Sequence, residues 1–120
     1  MLLAPGGPPQ NIRTYDEDSQ SIRVEWEPPL EKDQNGEIIY YKLMYVEMSK
    51  MDSEAAEEKI EDPDKRDLII SNLKKWTEYR IWMLAGTMVG DGVRSHPIEV
   101  RTEEDGEFII SFFLIFYYIC

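Results

Sequence analysis

Ser21-Ile22-Arg23-Val24-Glu25-Trp26-Glu27-Pro28-Pro29 is the stretch on which the fold turns. Ile22, Val24 and Trp26 fall on one side of an extended chain, and Arg23, Glu25 and Glu27 on the other. A period of two marks a strand with one dry face and one wet face, and the two prolines end it because they cannot donate to a sheet ladder. Upstream, Asp16 to Gln20 reads as a turn and Gln10 to Tyr15 as a short strand entered through Pro8-Pro9. Downstream, Asp33-Gln34-Asn35-Gly36 is a turn in which Asn-Gly accommodates positive φ. A strand from Ile38 to about Met48 follows. It places Ile39, Tyr41, Leu43 and Tyr45 on one face and Tyr40, Lys42, Met44 and Val46 on the other.

The next stretch, Ser49 to Asp67, is charged and weakly patterned. Glu54 to Glu58 has the composition of a helical turn but is too short and polar to stand as a helix. It is read as a loop with one edge strand around Lys59-Ile60-Glu61, closed by Pro63. Leu68-Ile69-Ile70 begins another strand, with Asn72-Leu73 after it. In Thr77 to Ala85, Tyr79, Ile81, Met83 and Ala85 alternate with Arg80, Trp82 and Leu84. Gly90-Asp91-Gly92 carries a hairpin-turn signal, and Pro97 to Thr102 is the last strand. No segment before residue 106 sustains a helical period. Short strands punctuated by turns predict an all-β, seven-stranded antiparallel sandwich of the immunoglobulin-like kind.

Composition narrows the function. The chain has 120 residues, enough for one domain, with 24 acidic against 13 basic residues and a formal charge of −11. No basic stripe is available to neutralise phosphates, so nucleic acid is excluded as a partner, and an anionic membrane surface is disfavoured. The single cysteine, Cys120, permits no disulfide within the chain, so the fold has to rest on packing. Asn11, Asn35 and Asn72 are not followed by the Ser or Thr a glycosylation acceptor needs. Met1-Leu2-Leu3-Ala4 is too short for a secretory signal.

Five pieces occur in a telling order: Trp26-Glu27-Pro28-Pro29, Asn35-Gly36, Tyr41-x-Leu43-x-Tyr45, Leu73-x-x-x-Thr77-x-Tyr79-x-Ile81 and Gly90-Asp91-Gly92. Together they resemble a fibronectin type III repeat from about Pro8 to Thr102. The resemblance implies a core built on Trp26, Tyr41, Leu43, Leu73, Tyr79 and Ile81. Tyr79 would be a tyrosine corner bonded to backbone near Leu73, and Ile81 would replace the second cysteine of an antibody domain. Asn72 to Tyr79 and Val89 to Ser95 are similar to repeats of neural adhesion receptors of the Down syndrome cell adhesion molecule and sidekick type, followed by receptor tyrosine phosphatases and netrin receptors. Tyr40 departs from that pattern, standing where such repeats often have a small residue. Residues 1–7 are then expected as a linker, 8–102 as the domain, 103–107 as an acidic linker and 108–120 as an apolar tail.

Chemistry is hard to find. His96, the only histidine, has no Cys or His neighbours with zinc spacing. Ser95, His96 and Asp91 are neighbours along a turn, which cannot supply the geometry of a catalytic triad. Gly90-x-Gly92 lacks the strand–loop–helix setting of a phosphate loop, and the carboxylates from Glu47 to Asp67 do not have the spacing of a calcium loop. No catalytic residue, metal or cofactor is therefore expected.

A protein-binding face is expected instead: Tyr40, Lys42 and Met44 facing outward beside Arg80, Trp82 and Leu84, a residue set enriched at interfaces, with Trp82 as its centre. The competing expectation is local, with Lys42 and Arg80 covering the rings as cation–π pairs. The tail, FIISFFLIFYYIC over 108–120, holds all four phenylalanines and no charge. It reads as the cut-off start of a membrane span, as non-native sequence, or as a segment packed on the sandwich. The resemblance implies a non-catalytic binding or spacer module in the extracellular part of a cell-surface adhesion receptor. Its partners would be proteins, either neighbouring repeats or an adhesion partner, with membrane contact only through the parent or the tail. An intracellular scaffold repeat and an accessory repeat of a receptor tyrosine phosphatase are the alternatives.

Overall fold

The structure, a computed structural model, describes residues 3–104. Eight β segments build two antiparallel sheets. The first sheet contains β1 (Gln10–Asp18), β2 (Ser21–Glu27) and β5 (Asp67–Ile70), in the order β1-β2-β5. The second contains β3 (Tyr40–Glu47), β4 (Ala56–Ile60), β6 (Glu78–Thr87), β7 (Gly90–Asp91) and β8 (Ile98–Arg101), in the order β4-β3-β6, with β7 and β8 both on the far edge of β6.

Between β7 and β8 the chain stays on that edge. The Gly92 N–H donates to the Ala85 carbonyl at 2.8 Å, and the Ser95 N–H to the Met83 carbonyl at 2.7 Å. The two segments are thus one strand path interrupted before Ile98, and the sandwich has seven strand paths.

The core forms where the alternating rows of the two sheets meet. Ile22, Val24 and Trp26 of β2 and Ile70 of β5 face Tyr41 and Leu43 of β3 and Tyr79, Ile81, Met83 and Ala85 of β6, with Ile60 and Leu73 closing the cluster. Trp26 and Tyr41 pack with ring centroids 5.6 Å apart and planes at 53°, a tilted arrangement favoured by the ring quadrupoles. The Lys74 N–H donates to the Tyr79 hydroxyl at 2.9 Å, so the tyrosine anchors the loop that leads into its own strand. Leu73 lies in that loop and is buried from it.

Several expectations are revised. β1 runs on through Asp18 because its pairing with β2 continues to Asp18↔Ser21, leaving a tight turn at Ser19-Gln20. The Asp18 carboxylate accepts the Gln20 N–H there, at 2.8 Å. The hairpin after β6 turns at Met88-Val89; Thr87↔Gly90 and Gly86↔Asp91 already pair, so Gly90 and Asp91 belong to the returning strand. The acidic stretch forms a single 3-10 turn, Asp52–Glu54, before β4.

Residues 3–7, expected as a linker, lie against the domain. The Gly6 N–H donates to the Asp33 carbonyl at 2.7 Å, and the Val93 N–H to the Pro5 carbonyl at 3.3 Å. Pro5, Gly7 and Pro9 are buried. The apolar tail, Cys120 and the acidic linker from residue 105 onward lie outside the described residues.

Candidate functional site

The register of the second sheet brings five of the six expected face residues into facing pairs on its outer side: Met44↔Trp82 and Lys42↔Leu84, with Tyr40 opposite Gly86. Asp91 extends the row from β7, and Lys59 of β4 pairs with Lys42. Arg80 lies further along, opposite Val46.

At the end of this face nearest β7, Tyr40 lies flat over Gly86. A Cβ built on Gly86 would sit 1.9 Å from the tyrosine ring, so the large residue at 40 is accommodated only because 86 is glycine. The Tyr40 hydroxyl donates to Asp91 Oδ1 at 2.5 Å, and Lys42 Nζ donates to Asp91 Oδ2 at 3.0 Å. Lys59 Nζ rests 4.6 Å from the Tyr40 ring centroid. Burial, then the hydrogen bond to Asp91, pushes the Tyr40 hydroxyl up to about 12. That same hydrogen bond, followed by Lys42, holds the Asp91 carboxyl below the usual aspartate range.

At the other end, Trp82 is only 4 % exposed and Leu84 8 %, and Val46 beside them is buried too. This corrects the expectation of an open face centred on Trp82. The cover over Trp82 is a cation–π contact, but it comes from Arg94, whose guanidinium lies 4.4 Å from the ring centroid, and not from Arg80; Lys42 lies over the Tyr40 ring instead, 5.8 Å from its centroid. Asp52 fastens the arrangement, accepting from Arg80 Nε at 2.8 Å and from Arg94 at 3.3 Å. The Arg80 hydrogen bond is the main reason the Asp52 carboxyl is held below its ordinary range. Arg80 also donates to the carbonyls of Glu47, Met48 and Lys50, tying the end of β3 to the turn that follows.

The Ser95, His96 and Asp91 group is not assembled. The Ser95 hydroxyl oxygen accepts the buried Met83 N–H at 2.9 Å, His96 is exposed, and Asp91 is engaged with Tyr40 and Lys42.

A feature absent from the sequence reading is Trp76, which is 56 % exposed beside the point where the chain leaves the domain. Its backbone is left-handed, at φ 48, and its N–H donates to the Glu103 carbonyl at 3.2 Å. Arg101 stacks 4.9 Å from its ring centroid. Together they border a shallow groove of about 310 Å³ that reaches Glu47, Met48 and Ser49. The signal available was an aromatic between two polar residues in a loop, which strand periodicity does not interpret.

The tyrosine corner, the Trp26 anchor and the two-sheet order agree with a family comparison in which the Fibronectin type III domain matches residues 7–101. The chain belongs to this family. As a fibronectin type III domain it is 48 % identical over 101 residues to "Tyrosine-protein phosphatase Lar" of Drosophila melanogaster, covering 84 % of this chain and 5 % of Lar. It is 35 % identical over 107 residues to "Cell adhesion molecule Dscam2" of the same organism, covering 88 % of this chain and 5 % of that protein. The domain therefore spans about a twentieth of the length of the curated relatives it matches.

Among solved structures, the FN5 domain of Drosophila Lar superposes with a TM-score of 0.66 at 31 % identity, covering 82 % of this chain and 97 % of that one. A fibronectin type III domain of human contactin 1 superposes with a TM-score of 0.76 at 25 % identity, covering 88 % and 84 %. Two of the three receptor groups whose repeats the sequence resembles, the neural adhesion receptors and the receptor tyrosine phosphatases, are thus among the relatives, with the higher identity on the phosphatase side.

Proposed function

We propose that this domain is a non-catalytic repeat in the extracellular part of a cell-surface receptor related to Lar. There it holds a fixed spacing between neighbours and offers surface to protein partners. The observation that carries the reading is 48 % identity over 101 residues to a stretch that is only 5 % of Lar. Its similarity to a phosphatase is thus confined to one repeat-sized piece, and that piece is a packed β-sandwich. The acidic surface, at net −11, favours protein partners and basic patches over nucleic acid.

The test is to read the full message upstream of Met1 and across Glu103–Gly106. The expected result is a frame that continues into further fibronectin type III repeats, one membrane span and a phosphatase domain, with an epitope in this repeat labelled on intact cells. A span without a phosphatase domain would move the reading to an adhesion receptor of the Dscam2 kind. A long array of mixed repeats with no span, unlabelled on intact cells, would replace it with an intracellular scaffold.

A further inference from the structure

We infer that the pole where the chain enters, formed by Leu3, Ile39 and the Met88-Val89 hairpin tip, is the seat on which a preceding β-sandwich repeat docks. The inference rests on the tandem-receptor reading above and adds to it a surface and an occupant.

The positive φ of this hairpin falls on Gly90 (φ 145), so the two residues at its tip are free of the backbone demand that favours Asn, Asp or Gly. Here the tip is Met88 and Val89, exposed by 77 % and 55 %. Leu3 and Ile39 are also exposed, and a groove of about 170 Å³ lined by Gly36, Glu37, Ile39, Thr87 and Met88 runs beneath the tip. Four large apolar side chains left exposed together at one pole are the kind of patch that marks a contact surface.

The entering chain fixes what can reach this surface. Thr87 Oγ1 donates to the Leu3 carbonyl at 2.9 Å, and the Leu3 N–H donates to the Asn35 carbonyl at 3.2 Å. Leu3 is thereby pinned to the residue just before Met88, so the chain enters the domain beside the patch.

Size selects a tethered occupant over a free one. A few side chains fall well short of the roughly 800 Å² per partner that a stable untethered complex buries. A neighbour on a short linker has an effective concentration in the mM range or above, so a contact with a Kd on the order of 1 mM closes the joint. The surface facing it needs an apolar or aromatic group near the chain exit of the preceding repeat. This domain's own exit pole, with half-exposed Trp76 stacked on Arg101, is an example of that chemistry.

The test is methionine oxidation by dilute hydrogen peroxide, read peptide by peptide, with Met51 as internal control because it is 69 % exposed. In the isolated chain Met88 and Met51 oxidise at similar rates. In the full-length parent Met88 is slowed about tenfold relative to Met51, the protection given by a joint closed nine-tenths of the time, and removing the preceding repeat restores its rate. Equal rates in a parent that does carry a preceding repeat overturn the docking inference and leave the receptor reading intact. A parent with no preceding repeat overturns both. Protection of Met88 in the isolated chain that grows with concentration assigns the patch to a second copy and also overturns the inference.

Discussion

Gly86 and Tyr40 show how one residue licenses another. In the register the two are directly opposed, and the ring occupies the space a Cβ would need. Gly86→Ala must displace Tyr40 and with it the Asp91 hydrogen bond, at a cost of about 1–3 kcal/mol. Tyr40→Ala removes the obstacle, so urea denaturation of the double variant should show a smaller loss than the two single losses added. Tyr79→Phe keeps the packing and deletes only the acceptor of the Lys74 N–H. Leaving that amide without its partner should cost about 1–2 kcal/mol, seen as a lower urea midpoint at unchanged slope. Trp26 and Tyr79 were legible in the sequence because alternation alone assigns their face, while the corner role of Tyr79 came from the resemblance to a fibronectin type III repeat. The Tyr40–Gly86 pair was not, because it depends on which residue of β3 meets which residue of β6, 46 positions apart.

The outer face of the second sheet makes the same point for a whole element. Alternation along β6 correctly separates Arg80, Trp82 and Leu84 from the core row, yet it says nothing of what lies over them. The cover arrives from Arg94 on the far edge and Asp52 on the connection between β3 and β4, neither of which shares a periodic pattern with Trp82. A residue expected as an exposed binding centre is therefore structural. Trp82→Ala should cost about 3–5 kcal/mol by chemical denaturation, the scale of a buried aromatic truncation, and an unchanged midpoint would return Trp82 to the surface.

The Asp52 clamp also predicts a pH dependence. Its carboxyl is held low by Arg80 first and Arg94 second, so its folded pKa lies below the roughly 3.9 of an unfolded aspartate. The stability it contributes is complete above the unfolded value and is lost as pH falls through the lowered folded value. Asp91, held low by Tyr40 and Lys42, acts in the same direction. Asp52→Asn should thus flatten the acid limb. The gap between its urea midpoint and that of the unsubstituted protein should be wide at pH 7 and narrow toward pH 3; an equal gap at both would show that the carboxylate's charge is not what holds the clamp.

For the molecule as a whole the question is where the domain begins. Pro5-Gly6-Gly7-Pro8-Pro9 has the composition of a linker, and composition alone gives it no reason to be anything else. Its glycines serve close approach instead. A Cβ on Gly7 would sit 2.9 Å from the Asp33 carboxylate, and one on Gly92 would sit 2.6 Å from Pro5. Those contacts join the entering chain to the turn after β2 and to the path after β7, on two different sides of the pole, and no local pattern announces either. A true linker could be removed at no cost. The segment found here exchanges hydrogen bonds with Asp33, Asn35, Thr87 and Val93 and buries Pro5. At a net 0.5–1.5 kcal/mol per hydrogen bond, offset by the entropy of ordering a few residues, deleting residues 1–6 should cost about 2 kcal/mol and lower Tm by roughly 10 °C. Calorimetry of the full and shortened chains decides it. An unchanged Tm would restore the linker and would also remove the pinned entry beside Met88, whereas the expected drop makes the entering segment part of the cooperative unit that a neighbouring repeat would pull on.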